Sequence, residues 1–315
     1  MYTIASTQHI IVTHISIIVL HYNTPQETHR CLGSLARLQL KKQKYDVVVV
    51  DNGSREPFAL FPSEQKRGVQ LVRSESNLGF TGGNNLGIYY AIERFNSEYV
   101  CLLNSDTKVE SNFLKQLTIF MDEHPRVGAA CPLIYFAAGS EYHKESYEPS
   151  QRGNIVWYAG GSIDLRNLHA FHKHIDEVNQ GQIVDSLDED FATGCCVMLR
   201  REVLEKVSGF DDRYFLYLED VDLSQRIQDA GYQIALCASA EVWHYNAGST
   251  GGPGSSLHVY YQTRNRFLFF WQYGSWRVRV TLLSWALSRL FKGTSAEQTG
   301  IFHAIIQKYG KETGL

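Results

Sequence analysis

Nowhere in the 315 residues do two cysteines stand in a C-x-x-C pair. The six present, Cys31, Cys101, Cys131, Cys195, Cys196 and Cys237, lack the spacing of a zinc site or a disulfide frame, and several lie in apolar runs. Buried free thiols in a reducing compartment fit this pattern. An excess of positive charge is missing too. The formal net charge is -3, from 30 Lys and Arg against 33 Asp and Glu, so there is no electrostatic footprint for a nucleic acid. No uninterrupted apolar run reaches the ~20 residues that cross a bilayer. The first, residues 10–20, contains His14 and has neither a basic leader nor a small-residue cleavage site, so no secretory signal is expected. The second, residues 267–291, is broken by Arg277, Arg279 and Arg289, which suits an interfacial helix and not a span. Internal repeats and low-complexity tracts are also absent.

What is present is an ordinary core composition. Hydrophobic residues make up 44%, enough for one large α/β domain with an appendage, or for two small domains. The many Tyr and Phe serve core packing at most positions and sugar or base stacking at a few. Residues 15–20, 47–50, 69–72 and 99–103 read as apolar strands. Helices are expected from the Asn23-Thr24-Pro25 cap to about residue 40, after a glycine loop to about residue 95, and over 112–124. Such alternation predicts an α/β fold with a mostly parallel central sheet flanked by helices. Residues 136–190, rich in Gly, His, Tyr and Ser, read as an irregular insertion bordering the site. A strand at 195–199, a helix at 221–230 and a strand at 233–237 follow. The expected division is an α/β domain over 1–256 and a helical C-terminal extension over 257–315.

In open α/β sheets, ligands bind beyond the carboxyl ends of the parallel strands. Asp51 directly follows the 47–50 strand, and Asp106 lies three residues past the 99–103 strand. Each alone reads equally well as a cap or turn residue; the two together favour a shared ligand. The run Asn77-Leu78-Gly79-Phe80-Thr81-Gly82-Gly83-Asn84-Asn85-Leu86-Gly87 reads as a glycine loop open to a ligand ahead of a helix N-terminus, or as a plain strand–helix turn. It matches neither the Walker pattern nor the dinucleotide fingerprint. Further on, Glu219, Asp220 and Asp222 open a predicted helix, where acids complement the helix dipole or one serves as a general base. Val242-Trp243-His244 lies just past a strand, where a neutral imidazole can ligate metal. His169, His172 and His174 have H-x-x-H-x-H spacing and read first as solvent-exposed, second as a metal cluster.

Taken in order, Ile-Ile-Val-Leu-His-Tyr-Asn, Val-Val-Asp-Asn-Gly-Ser, Asn-x-Gly-Phe-x-Gly-Gly-Asn-Asn-x-Gly and Leu-Asn-Ser-Asp resemble family 2 glycosyltransferases of the GT-A (Rossmann-like) fold. Thr193-Gly194, Gly209-Phe210-Asp211, Glu219-Asp220-Val221-Asp222 and Trp243-His244 fit the same family. The chain is most similar to its rhamnosyltransferase-like branch, over roughly residues 15–270. The resemblance implies that Tyr22 and Asp51 contact the nucleotide base and ribose. Asn23, Asn77, Gly79, Gly82, Gly83, Asn84, Asn104 and Ser105 would complete the nucleotide-sugar site, with Arg264 reaching the diphosphate. Asp106 would be the last acid of the metal-binding D-x-D motif. Asn104 stands where that motif has its first acid, so His244 carries more of the binding of Mn²⁺ or Mg²⁺. Asp220 matches the inverting base, with Glu219 beside it.

The chemistry of such a reaction agrees with those residue types. A departing nucleoside diphosphate needs its growing negative charge met, and the acceptor hydroxyl must lose a proton. The implied donor is dTDP-L-rhamnose, with a UDP-sugar as runner-up. The implied acceptor is a hydroxyl of a glycan or lipid-linked sugar in cell-surface polysaccharide synthesis, on the cytoplasmic side of the membrane. Two readings compete: a nucleotide-dependent oxidoreductase, disfavoured by the missing early G-x-G-x-x-G, and a non-catalytic nucleotide-sugar binder. In the tail, Arg264, Arg266, Arg277, Arg279 and Arg289 interleave with seven Phe or Trp. The stretch before residue 273 is expected to pack on its own domain. Residues 276–291 suit peripheral membrane contact, a homodimer interface or packing on the domain.

Overall fold

The computed structural model describes residues 14–39, 44–246 and 254–312. The start of the first apolar run, the expected end of the first helix near residue 40 and the last three residues of the tail lie outside the described residues. In chain order the elements are β1 (His14–His21), α1 (Pro25–Leu35), β2 (Lys44–Asp51), α2 (Pro62–Lys66), β3 (Gln70–Arg73), α3 (Gly79–Phe95), β4 (Tyr99–Asn104) and β5 (Thr107–Val109). Then come α4 (Phe113–Glu123), β6 (Val127–Phe136), β7 (Val156–Tyr158), β8 (Gly161–Asp164), β9 (His169–His172) and β10 (Cys196–Arg200). The chain continues through α5 (Arg201–Val207), α6 (Glu219–Asp229), β11 (Gln233–His244), α7 (Ser256–Tyr273), α8 (Trp276–Lys292) and α9 (Ser295–Ile305).

The main sheet has the order β3-β2-β1-β4-β10-β6-β11-β5, with β7 added beside β6. β3, β2, β1 and β4 run parallel, as do β6 and β11. β10 lies antiparallel between β4 and β6, and β5 is antiparallel to β11. The α/β fold read from the sequence is therefore present as a mixed sheet whose larger share runs one way. The apolar runs of β1, β2 and β4 are buried on both faces, as strands covered by crossover helices must be. All six cysteines are buried and unpaired. No described helix is long and apolar enough to cross a membrane.

Register sets the working edge of the sheet. Leu20 pairs with Asn104, and His21 with Asp51, so β1, β2 and β4 end level. The segments 22–24, 52–54 and 105–106 leave from that one edge. On the far side His244 pairs with Thr107, and Tyr245 N donates to Asp106 O at 2.8 Å. This antiparallel pairing carries Asp106 to the end of β11. β11 itself runs well past the expected 233–237, through a register shift between Cys237 and Glu241.

The glycine run is not a loop. α3 begins at Gly79 and takes the glycines into its first turns. Gly79 has φ +77, and a Cβ there would meet the Phe215 carbonyl oxygen at 2.4 Å. A Cβ at Gly83 would meet Leu20 Cδ1 at 2.5 Å, and one at Gly87 would meet Ile18 Cγ2 at 2.4 Å. Positions 79, 83 and 87 share one helix face, so the glycines let α3 lie flush on β1. The region 136–190 is also more ordered than its composition suggested. β6 runs into it, β7 extends the main sheet, and β8 and β9 form a hairpin.

The tail closes over the same edge. α7 buries Phe267, Leu268, Phe269 and Phe270 in an apolar core continuous with the sheet, as expected for the stretch before residue 273. α8 and α9 start at the hydroxyl caps of Ser275 and Thr294, and contribute Leu282, Ala286, Ile301 and Ala304 to that core.

Candidate active site

A cavity of about 450 Å³ opens where the strands end. The β1 and β4 ends supply Tyr22, Thr24, Asn104, Ser105 and Asp106, and β11 supplies His244. The start of α6 supplies Glu219 and Asp220. Trp157, His169 and His172 of the insertion form another wall, and His258, Gln262 and Arg266 of α7 a third.

Asp220 sits in the first turn of α6. Its Oδ2 accepts from Gly194 N at 3.0 Å and its Oδ1 from Val221 N at 2.9 Å. Gly194 has no room for a side chain, since a Cβ would reach 2.8 Å from the Phe80 ring. Burial raises the Asp220 pKa, and the backbone donors of Gly194 and Val221 pull against that rise. Glu219 is buried alongside, with Oε2 lacking a hydrogen-bond partner among the described residues. Burial, followed by the neighbouring Asp220 charge, pushes its pKa well up. Both carboxyls are thus pushed up, Glu219 the further of the two. Asp222 is engaged elsewhere: it accepts from Tyr214, Tyr273 and Arg226 at 3.2, 2.8 and 2.8 Å.

The loop that delivers these acids is strained. Phe215, Tyr217 and Leu218 have φ of 63, 70 and 62, a region that costs a non-glycine residue about 1–2 kcal/mol. Arg264 and Asn265 hold it there. Arg264 donates to the carbonyls of Arg213, Tyr214 and Gly310 at 2.9, 2.7 and 2.7 Å. Asn265 Nδ2 donates to those of Tyr214, Leu216 and Tyr217 at 3.0, 2.8 and 2.8 Å. Arg264 is fully buried and does not line the cavity. Its guanidinium is spent on backbone carbonyls and, unlike the expectation for a diphosphate ligand, does not face the cavity. The cation on the α7 wall of the cavity is Arg266, packed over the Trp285 ring at 5.3 Å. It shares a helix face with Gln262 and His258, four and eight residues before it.

Of the residues to which the resemblance assigns a role in the site, seven meet in the cavity: Tyr22, Asn104, Ser105, Asp106, Glu219, Asp220 and His244. The others do not line it. Asp51 is buried, accepts from Ser54 N and Phe58 N at 3.0 Å each and pairs with Arg73. Asn23 bridges to the 54–55 turn, with its N donating to Ser54 Oγ and its Oδ1 accepting from Arg55 N. Asn77 Oδ1 accepts from Gly79 N at 2.8 Å, and Asn84 Nδ2 donates to Phe80 O at 2.9 Å. With Gly79, Gly82 and Gly83 inside α3, these side chains are occupied in local structure. Of the three insertion histidines, His174 turns to Glu177 at 3.0 Å while His169 and His172 line the cavity. His172 donates from Nδ1 to Trp157 O at 3.0 Å, and burial pushes its pKa down to about 4.

Residues 16–208 match the family model described as Glycosyl transferase family 2. The chain belongs to that family. A second model, described as the N-terminal domain of galactosyltransferase, matches residues 186–247. An N-acetylglucosaminyl-diphospho-decaprenol L-rhamnosyltransferase from Mycobacterium tuberculosis is 28% identical over 86% of this chain and 88% of its own length. The solved structure of GalNAc-T7 with UDP, GalNAc and Mn²⁺ superposes with a TM-score of 0.63 at 14% identity, covering 96% of this chain and 55% of that one. The mannosyltransferase PcManGT from Pyrobaculum calidifontis, in complex with GDP-Man and Mn²⁺, gives 0.54 at 15% identity, covering 96% and 77%. The structural likenesses establish the GT-A fold, and the protein is a glycosyltransferase similar to rhamnosyltransferases.

For this glycosyltransferase the pair that suits a divalent cation is Asp106 and His244. Their Oδ1 and Nε2 atoms lie 3.2 Å apart, and two cis ligands at ~2.1 Å on an octahedral cation lie about 3 Å apart. His244 is buried, edge-on to Trp157 at 4.6 Å, and its Nδ1 has no hydrogen-bond partner among the described residues. No group of three or more His, Cys, Asp or Glu is placed to hold a metal among the described residues. Two protein ligands match a cation whose other positions go to substrate phosphate and water.

Proposed function

We propose that this enzyme moves L-rhamnose from dTDP-L-rhamnose to a hydroxyl of a glycan or lipid-linked acceptor, inverting the anomeric centre. The observation that carries the reading is that Asp220, a half-buried carboxylate with a raised pKa, shares one cavity with Asp106 and His244. The rhamnosyl donor and lipid-linked acceptor are supported by similarity to the mycobacterial rhamnosyltransferase.

Asp220 takes the proton of the acceptor hydroxyl as its oxygen attacks the anomeric carbon. The bond to the diphosphate oxygen breaks on the opposite face, and the nucleoside diphosphate leaves with the electron pair. Glu219, whose pKa burial pushes well up, lies beside the base. Asp106 and His244 would hold Mn²⁺ or Mg²⁺, which neutralises charge on the leaving diphosphate. Arg266 adds positive charge on the cavity wall. The nucleotide-activated donor and the six unpaired thiols support action on the cytoplasmic side.

The test is a thermal-shift and product assay over dTDP-, UDP- and GDP-sugars, each with Mn²⁺, Mg²⁺ or chelator. A ligand that binds only the native state raises Tm. Stabilisation by dTDP-L-rhamnose and rhamnosylated product support the proposal; protection by a UDP-sugar alone overturns the donor. Asp106→Ala is expected to lose turnover and the cation dependence of nucleotide binding while folding normally. Near-normal turnover of that variant in chelator would remove the metal role.

A further inference from the structure

We infer that α8 is a docking face for an anionic lipid surface. The inference stands apart from the donor and the base proposed above, because it rests on residues that do not line the cavity. α8 is held to the domain by buried Leu282 and Ala286. Its opposite side is apolar and bare. Trp276, Val280, Leu283, Leu287 and Phe291 are all exposed, from 49% at Leu283 to 71% at Trp276 and 79% at Phe291. Their spacing of four, three, four and four places them within an arc of about 80°, along a stripe about 22 Å long. A stripe of that regularity is the pattern of a core-facing helix, turned here to solvent.

Charge selects the occupant. α8 contains no Asp or Glu and four basic residues, Arg277, Arg279, Arg289 and Lys292. Arg289 pairs with Glu297 at 3.5 Å. No carboxylate among the described residues pairs with the other three. Arg277 and Arg279 flank the apolar arc, about 80° to either side of its centre, and lie over the rings of Trp276 and Trp271 at 5.3 and 5.6 Å. An apolar arc with tryptophan at its end and arginines on both shoulders suits a helix lying in the headgroup region of a bilayer. A second copy suits it less well. An isologous pairing of two α8 stripes carries Arg277 and Arg279 of both copies to the interface, with no acid on either helix to compensate. An anionic surface neutralises both. The inner side of α8 touches the site, since Trp285 carries the Arg266 guanidinium that lines the cavity. A membrane under the stripe would therefore hold the cavity close to acceptors carried in that membrane.

The test is flotation of the full chain with phosphatidylcholine vesicles, with and without phosphatidylglycerol, at low salt. The wild type is expected to float with the anionic vesicles and to remain at the bottom with the neutral ones. Leu283→Ser/Leu287→Ser should abolish flotation while lowering Tm by only a few degrees, because both side chains are already exposed and serine costs little beyond helix propensity. Arg277→Gln/Arg279→Gln should weaken partitioning about thirtyfold, at about fivefold per surface cation. The inference is overturned if the wild type fails to float with anionic vesicles. It is equally overturned if the wild type sediments as a dimer that the double serine variant dissociates, without vesicle binding by either.

Discussion

Asp220 and Glu219 are adjacent in sequence and in the cavity, yet Asp220 has a backbone donor on each carboxyl oxygen while Glu219 Oε2 has none among the described residues. Asp220→Asn is therefore expected to keep nucleotide-sugar affinity and to lower kcat by ~10²–10⁴-fold, the usual cost of removing a general base. Isothermal titration and steady-state kinetics check the two halves; an unchanged kcat would move the base to another group. Because burial sets the Asp220 pKa above 3.8, its base form is lost as pH falls through a value above the ordinary aspartate range. The acid limb of the kcat profile should have its midpoint there. Glu219 has the same sign and a different consequence. Its folded-state pKa is raised above its unfolded value, so its proton binding favours folding at low pH. That contribution is lost as pH rises toward the folded pKa. Glu219→Gln should therefore raise Tm at pH 8, with the gain vanishing near pH 4. A gain that grows toward acid pH would contradict this assignment.

At the scale of elements, the packing of α3 on β1 decides where the strand ends sit. Gly87 faces Ile18 and Val50, both fully buried, with a Cβ only 2.4 and 3.0 Å from their methyl carbons. Neither neighbour can retreat, so Gly87→Ala should cost about 1–3 kcal/mol by overpacking. Gly33 in α1 is the control: nothing lies within 4 Å of its Cβ position. Gly33→Ala should stabilise by up to about 1 kcal/mol through helix propensity alone. Urea denaturation of the two variants should give opposite signs; a destabilising Gly33→Ala would mean that packing is not what distinguishes them. The same helix shows what sequence could and could not tell. Strand-end positions of Asp106 and His244 were legible, because an apolar run that stops at a polar residue marks the edge of a buried sheet. The glycines were not, because a glycine that admits a ligand and one that admits a neighbouring strand look alike. Nor was the choice between Arg264 and Arg266, since α7 is buried on most of its surface and has no polar face to set its phase. The insertion hid its strands for a related reason: β8 and β9 are short and only partly buried, so alternation had little length in which to appear.

Across the whole molecule, the tail and the catalytic edge are one construction. Arg264 joins α7, the loop carrying Glu219 and Asp220, and Gly310 near the end of the described chain. Three non-glycine residues in the left-handed region hold their shape because that guanidinium and Asn265 satisfy the carbonyls around them. Arg264→Met keeps the apolar stem and removes the donors, leaving carbonyls of Arg213, Tyr214 and Gly310 without that partner. An unsatisfied buried group costs about 1–3 kcal/mol, so a loss of about 3 kcal/mol or more is expected in urea denaturation. The loop should relax, and kcat should fall as the base loses its position. Nucleotide-sugar affinity should stay near that of the wild type in the folded fraction. Arg266→Met should do the reverse, with stability nearly unchanged and substrate affinity reduced, because its side chain lines the cavity and donates no hydrogen bond among the described residues. Should Arg264→Met instead weaken nucleotide binding with stability intact, the guanidinium must leave its carbonyls when substrate arrives, and the diphosphate role returns to Arg264.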